Sequence, residues 1–206
     1  FEQSATQKQL QATAREFAKK EIAPRAEKID LTEQYPWENV KLLTKQGFMG
    51  MTIPKEYGGK AMSYLDTVLV IEEIAKACGV TARIVVEANM GAIGAVMKYG
   101  TEAQKILAAK HVLSGDKPAI CITEPGAGSA ATEMNSRADH KGDRYILNGI
   151  KHSITGGVSK FHLIFARVFE NDKPLVIAGF IAIKGAKGLK TGGKGTGNGI
   201  AGNPRN

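Results

Sequence analysis

The feature that most constrains this chain is a change of period at Lys117-Pro118. Before that dipeptide, apolar residues recur every three or four positions. After it, they come in short β-rich runs. A 3.6-residue period puts side chains on one face of a helix, and a two-residue period puts them on one face of a strand. Leu10, Ala14, Phe17 and Ala18 make a first helical stripe, with Pro24 expected near its end. Pro36 opens a short helix at its first turn, and Gly47 closes it. Ser63 and Asp66 start a third helix, whose expected buried stripe is Leu65, Val68, Ile71, Ile74, Ala75 and Cys78. A fourth helix is expected from about Thr81 to Tyr99. Thr101-Glu102-Ala103-Gln104 has the form of a capping box, in which the Thr hydroxyl and Gln amide satisfy free backbone N–H groups. It opens a fifth helix that ends near Ser114-Gly115-Asp116.

The second part reads as strands. Ala119–Thr123 and Arg144–Leu147 are strand-like, and Asn148-Gly149 has the composition of a tight hairpin turn. Ile150–Thr155 would continue that pairing. Phe161–Phe169 and Val176–Ile183 are two further β-rich runs. Helices first and strands second predict an α+β fold, with a helical domain over 1–116 and a β domain over 117–206, and not a series of βαβ units.

Composition narrows the function classes. With 206 residues, 43% of them hydrophobic and 23% charged, the chain can bury a core. No apolar run is expected to reach the ~18 residues that span a bilayer, so no membrane partner is expected. The N-terminus is polar and mixed in charge, the pattern of neither a signal peptide nor an Arg-rich transit sequence. Cys78 and Cys121 are too few for a disulfide framework and read as small buried hydrophobes in a reducing, cytoplasmic compartment (the mitochondrial matrix for a eukaryotic chain). The net charge is +8, but the stretch from Gly185 to Asn206 holds three lysines, one arginine and no acid, which is half of the excess. The remainder is weakly basic and its aromatics are scattered, so nucleic acid is not an expected partner. A basic surface would still draw a polyanionic nucleotide. His111, His140, His152 and His162 lack metal-ligand spacing, and no metal is expected.

One loop concentrates the chemistry. In Ile120-Cys-Ile-Thr-Glu-Pro-Gly-Ala-Gly-Ser129 a strand runs into a Gly-rich turn. Gly126, Gly128 and Ala131 fit G-x-G-x-x-A, but that dinucleotide fingerprint needs a long helix next, and a hairpin is expected within about 15 residues instead. A Walker loop fails because no Gly-Lys-Ser/Thr follows. A backbone cradle for an anion and a plain structural turn both stay open.

At this point the residues resemble a family. Thr123-Glu-Pro-Gly-Ala-Gly-Ser129, Tyr145-Ile-Leu-Asn-Gly-Ile-Lys151 and Ile154-Thr155-Gly156 look like the middle-domain signature of the acyl-CoA dehydrogenases. Gly47-Phe-Met-Gly-Met-Thr-Ile-Pro54, Glu56-Tyr-Gly-Gly59 and Tyr99-Gly-Thr-Glu-Ala-Gln104 are similar to that family's N-terminal helical domain. The likeness covers about residues 1 to 183 in order. It implies a helical N-terminal domain, a β-barrel-like middle domain and FAD as cofactor, with the family's C-terminal helical bundle missing from this chain.

The resemblance also implies roles. The segment containing Ile120, Ile122, Thr123, Gly128 and Ser129 would line the flavin, with Thr123 on the pyrimidine side of the ring. Ser129 would lie near the pyrophosphate and the bound thioester. Ser153, Ile154 and Thr155 would meet the flavin from a second segment, Thr155 near N5. Fixed donors around N1 and O2 favour electron acceptance. The family reaction is α,β-desaturation of an acyl-CoA thioester, with hydride transfer to flavin N5 and an electron-transfer flavoprotein as the next acceptor. Its catalytic base belongs to the C-terminal domain, so no catalytic residue is assigned here, and Glu124 reads as a turn residue. A homotetramer follows by analogy only.

Two departures stand out. Ser153 replaces an aromatic that usually stacks on the flavin. In the tail, Gly193, Gly195, Gly197 and Ala201 replace larger or charged residues, while Gly188-Leu-Lys190, Gly199-Ile200, Gly202 and Pro204 keep the family spacing. Within the family, Asp30-Leu-Thr-Glu-Gln-Tyr-Pro-Trp37, Ala82-Arg83-Ile84, Gly91-Ala-Ile-Gly94 and Lys117-Pro-Ala-Ile-Cys-Ile122 look most like the 3-sulfinopropionyl-CoA desulfinases. Those release sulfite without net oxidation, and the position of Arg83 is implicated in holding the sulfinate. The alternative for Arg83 is a solvated arginine near a helix end. Desaturation is the first expectation, desulfination the second, and a non-catalytic acyl-CoA- or flavin-binding module the third.

Overall fold

A computed structural model of the chain describes residues 2–192. The tail positions 193, 195, 197, 199–202 and 204 discussed above lie outside the described residues. The chain divides into two compact units, one ending at Pro118 and the other starting at Ala119.

The helical unit contains α1 (Ala5–Phe17), α2 (Ala23–Thr32), α3 (Trp37–Gln46), α4 (Tyr64–Ala77), α5 (Gly79–Asn89), α6 (Ala92–Tyr99) and α7 (Glu102–Leu113). Three helices start with a complete capping box: Ser4 with Gln7, Ser63 with Asp66, and Thr101 with Gln104. Gly47 ends α3 in the left-handed region at φ 76°, where a side chain would be strained. The core is built from fully buried Ile22, Leu43, Met51, Ile53, Val70, Ile74, Val85 and Ile93.

Several sequence expectations are corrected here. Pro24 does not end the first helix. A π-helical turn over Ala18–Ile22 joins α1 to α2, and Pro24 sits in the first turn of α2, where its missing N–H has no helical partner to lose. The buried face of α4 is Thr67, Leu69, Val70, Glu73 and Ile74; Leu65, Val68 and Ala75 are exposed. Of the expected stripe, Ile74 and Cys78 are buried and Ile71 is half-buried, and the rest is displaced because two polar residues take core positions. The Thr67 hydroxyl donates to Ser63 O at 3.0 Å, and Glu73 accepts Arg15 and Lys76. The single helix expected from Thr81 to Tyr99 is two, broken at Met90-Gly91. Taken together, Gly79–Tyr99 is 21 residues with a window of mean hydropathy 1.3, long and apolar enough to cross a membrane by length and composition, contrary to the expectation. That window is 56% buried within the protein, the burial of a core helix pair.

The β unit is a five-stranded mixed sheet of β1 (Ala119–Cys121), β2 (Arg137–Lys141), β3 (Arg144–Asn148), β4 (Phe161–Glu170) and β5 (Lys173–Ile183). Long β4 is the spine. It pairs in parallel with β1 and then with β2, and antiparallel with β5, while β3 forms the edge beyond β2. The two-residue hairpin lies at Gly142-Asp143, between β2 and β3, not at Asn148-Gly149. Ile150–Thr155 is not a strand. Gly149 is required for a different reason: a Cβ there would stand 2.3 Å from Ser136 Oγ.

Candidate functional site

The stretch after Cys121 is shaped by a compact turn. Glu124 N–H donates to Ala127 O at 3.1 Å, and Ala127 N–H returns the bond to Glu124 O at 3.2 Å. Pro125 and Gly126 occupy the two corner positions, and the first suits proline's fixed φ. Ala127 is buried, so the turn is anchored, while Pro125, Gly126, Gly128 and Ser129 face outward. No atom lies within 4 Å of where a Cβ would stand at Gly126 or Gly128.

Glu124 organises everything behind this surface. Its buried carboxylate accepts Asn135 N–H at 2.6 Å, Ser136 N–H at 2.9 Å and Lys151 Nζ at 2.7 Å. Burial by itself would raise this carboxyl, but the bonds from Lys151, Ser136 and Asn135 outweigh it and hold it at about 2. Lys151 Nζ also donates to Ile122 O at 3.0 Å, and His152 N–H donates to Thr123 O at 2.8 Å. These bonds clamp the 150–155 segment beside the 120–129 segment. Two stretches far apart in sequence thereby become neighbours.

The expected cofactor residues therefore meet within one unit. Ile120, Ile122 and Thr123 are half-buried along the clamp, and Gly128 and Ser129 are exposed at the turn. Ile154 turns its side chain into a small core with Ala119, Cys121 and Ile164, so only its backbone can face a ligand. Thr155 is half-buried. Ser153 is exposed and sits at φ 55°, with its hydroxyl 3.1 Å from His152 Nδ1. The left-handed backbone at Ser153 is uncommon for a residue with a side chain and marks a constrained corner.

A dinucleotide cofactor fits this arrangement. The outward face offers open glycine backbone and the Ser129 hydroxyl. The one carboxylate of the loop is turned inward, with its charge met by Lys151, so it does not repel a pyrophosphate. Sequence reasoning gave Glu124 its structural place but missed Lys151 as its counter-ion.

Arg83 belongs to the helical unit. It borders a cavity of about 570 Å³ with Ala26, Glu27 and Asp30 of α2 and Cys78, Gly79 and Val80. Its Nε lies 2.9 Å from Glu87 Oε1, one turn along α5, and its side chain is 48% exposed. The other oxygen of Glu87 pairs with buried Lys117. Sequence reasoning missed Glu87 and Lys117, although the i,i+4 spacing from Arg83 to Glu87 was a readable signal. Among the described residues, no group of three or more His, Cys, Asp or Glu side chains is arranged to hold a metal ion.

Comparison with known proteins agrees with this geometry. Residues 4–116 match the family model described as acyl-CoA dehydrogenase, N-terminal domain, and residues 119–206 match acyl-CoA dehydrogenase, middle domain. The chain is 65% identical over 179 residues to 3-sulfinopropanoyl-CoA desulfinase of Cupriavidus necator, covering 86% of this chain and 45% of that protein. It is 36% identical over 194 residues to the short-chain-specific acyl-CoA dehydrogenase of Clostridium acetobutylicum, covering 93% and 51%. The structure of butyryl-CoA dehydrogenase from Megasphaera elsdenii superposes with a TM-score of 0.89 at 28% identity, covering 100% of this chain and 55% of that one. The chain thus spans about half the length of the curated relatives it matches. Two family models in tandem, on a helical unit followed by a mixed sheet, place this chain in the acyl-CoA dehydrogenase family.

Proposed function

We propose that the protein is a flavoenzyme that binds FAD along the 120–129 and 153–155 segments and releases sulfite from 3-sulfinopropanoyl-CoA. The observation that carries the reading is Arg83: a half-exposed guanidinium, ion-paired with Glu87, at the border of a cavity. A planar, permanently charged fork suits an anionic acyl terminus such as a sulfinate. The high identity to a protein named for that reaction supports the same choice.

The reaction balances without an outside oxidant. The bond between sulfur and the β-carbon breaks, a proton reaches that carbon, and water supplies the added oxygen on sulfur. The products are propanoyl-CoA and hydrogen sulfite, and the carbon gains the two electrons that sulfur gives up. Thr123, Gly128 and Ser129 would hold FAD from one side, and Ser153, Thr155 and the Ile154 backbone from the other. When bound, FAD supplies the family's capacity to accept a hydride. The chain's own part is to fix these donors: the Glu124–Lys151 clamp keeps the turn from moving, and the buried Ile154 side chain pins the second segment. Ser129 would place its hydroxyl toward the thioester.

The second reading is α,β-desaturation with an electron-transfer flavoprotein as acceptor. The open Gly126-Ala-Gly-Ser129 face favours it equally, because nothing in that loop distinguishes the two reactions. A homotetramer in a cytoplasmic, reducing compartment belongs to the same proposal; the buried thiols of Cys78 and Cys121 are consistent with such a compartment.

The test is to offer the full-length protein 3-sulfinopropanoyl-CoA without any electron acceptor, and butyryl-CoA with a dye acceptor. Sulfite from the first and no dye reduction from the second support desulfination. Dye reduction with no sulfite supports the dehydrogenase.

A further inference from the structure

Charge on α5 is arranged in an order that the isolated Arg83–Glu87 pair does not explain. An Arg and a Glu one helical turn apart cancel one another and would give an incoming anion little net attraction. Here Glu87 is shared. Its Oε1 faces Arg83 Nε, and its Oε2 faces Lys117 Nζ. The Glu87 and Lys117 side chains are 6% and 2% exposed, against 48% for Arg83. The two buried partners therefore neutralise each other first, and the unbalanced positive charge sits on the member that reaches the cavity. Burial pushes the Lys117 ammonium below its usual range, while Glu87 and Asp116 oppose that shift and Arg83 adds to it.

The other charged groups sharpen the point. Glu27 and Asp30 border the same cavity as Arg83. Their charges work against an anionic ligand, so an uncompensated Glu87 would add a third. Asp116 pairs with His111 across 3.3 Å, and Tyr35 stays protonated because burial, with Asp116 and Glu87 nearby, pushes its phenol well above the usual range. Lys117 is thus the buried cation in direct contact with Glu87.

We propose that Lys117 and Glu87 are positioning residues for Arg83: Glu87 holds the guanidinium near it as an ion-pair partner, and Lys117 cancels Glu87 so that Arg83 presents net positive charge to the acyl terminus of the substrate. The inference rests on the proposed role of Arg83. It gives that role a mechanism with its own test.

The test measures dissociation constants of full-length protein by calorimetry at pH 8 for succinyl-CoA and butyryl-CoA. These four-carbon thioesters differ in terminal charge. Lys117→Met removes the charge and keeps an unbranched side chain one atom shorter. The expected result is a loss of about tenfold for succinyl-CoA, the size of one nearby charge at moderate dielectric, with butyryl-CoA within about twofold. The double variant Glu87→Gln/Lys117→Met removes the carboxylate as well and is expected to regain most of the succinyl-CoA affinity. An equal loss for both thioesters in Lys117→Met, or no recovery in the double variant, would make the pair merely structural and overturn the proposal. Arg83→Met separates the two levels. If it leaves the succinyl-to-butyryl ratio unchanged, the reading of Arg83 fails and the positioning role fails with it. If it abolishes discrimination while Lys117→Met does not, only the positioning role fails.

Discussion

The two units solve the problem of buried charge in different ways. In the helical unit, charges are tucked into a core that packing already holds. Leu43, Ile53 and Ile74 are fully buried, and Glu73 and Glu87 each sit beside cations on the same or a neighbouring element. In the β unit the order is reversed. Its site region has a small apolar core of Ala119, Cys121 and Ile154, and all five residues of β3 are exposed. The shape of the loop depends on one carboxylate, Glu124, bonded to three donors from two other segments. Packing holds the first unit, and a polar hub holds the candidate site of the second.

The comparison is most exposed to failure at Glu124. Glu124→Ala takes the carboxylate partner from half-buried Lys151 and from two backbone N–H groups, and is expected to cost about 3 kcal/mol by chemical denaturation, the low end of the range for breaking a buried pair. A loss under ~1 kcal/mol would mean that the hub is dispensable. Acid should act on the same contact. The folded carboxyl sits at about 2, below its ordinary value of 4.5, so its stabilisation is complete above the ordinary value and is lost as pH falls through 4.5 toward 2. The shift corresponds to about 3 kcal/mol. Glu124→Gln should flatten that part of the pH–stability curve; an unchanged curve would assign the acid sensitivity elsewhere.

In the helical unit the largest effect should come from packing. Leu43→Ala is expected to cost about 3 kcal/mol through lost burial and a residual cavity, and it should leave the pH dependence unmoved. Thr101→Ala removes the N-cap of α7 and should cost about 1 kcal/mol. Lys76→Ala should cost under ~0.5 kcal/mol, because Lys76 is exposed and Glu73 keeps its two bonds from Arg15. A Lys76 effect as large as that of Leu43 would erase the contrast between packing and surface pairing.

The same contrast explains what the sequence disclosed. Helix starts were readable at Ser63 and Thr101 because a capping box is made by residues three apart. The buried face of α4 was not, because Thr67 and Glu73 are buried for reasons that lie in Ser63, Arg15 and Lys76. Asn148-Gly149 carries the local signal of a hairpin, yet Gly149 answers to Ser136, a distant neighbour that no local pattern reveals. Buried Asn89 shows the same limit. It accepts Met51 N–H and donates to Phe48 O and Val85 O, tying the end of α5 to the segment after α3. The turn from Thr123 to Ser129 was legible as a special loop, but Lys151, which holds it, was not assigned that task.

The division of labour between the units can be tested directly through the FAD dissociation constant of full-length wild-type protein, Glu124→Gln and Arg83→Met. Glu124→Gln should weaken FAD binding by about tenfold or more, since a charged hydrogen-bonded hub is worth at least the ~1.4 kcal/mol that such a factor represents. Arg83→Met should leave FAD binding within about twofold, a difference of less than ~0.5 kcal/mol. Equal weakening in both variants, or loss of FAD only in Arg83→Met, would contradict the assignment of the cofactor to the Glu124-organised loop.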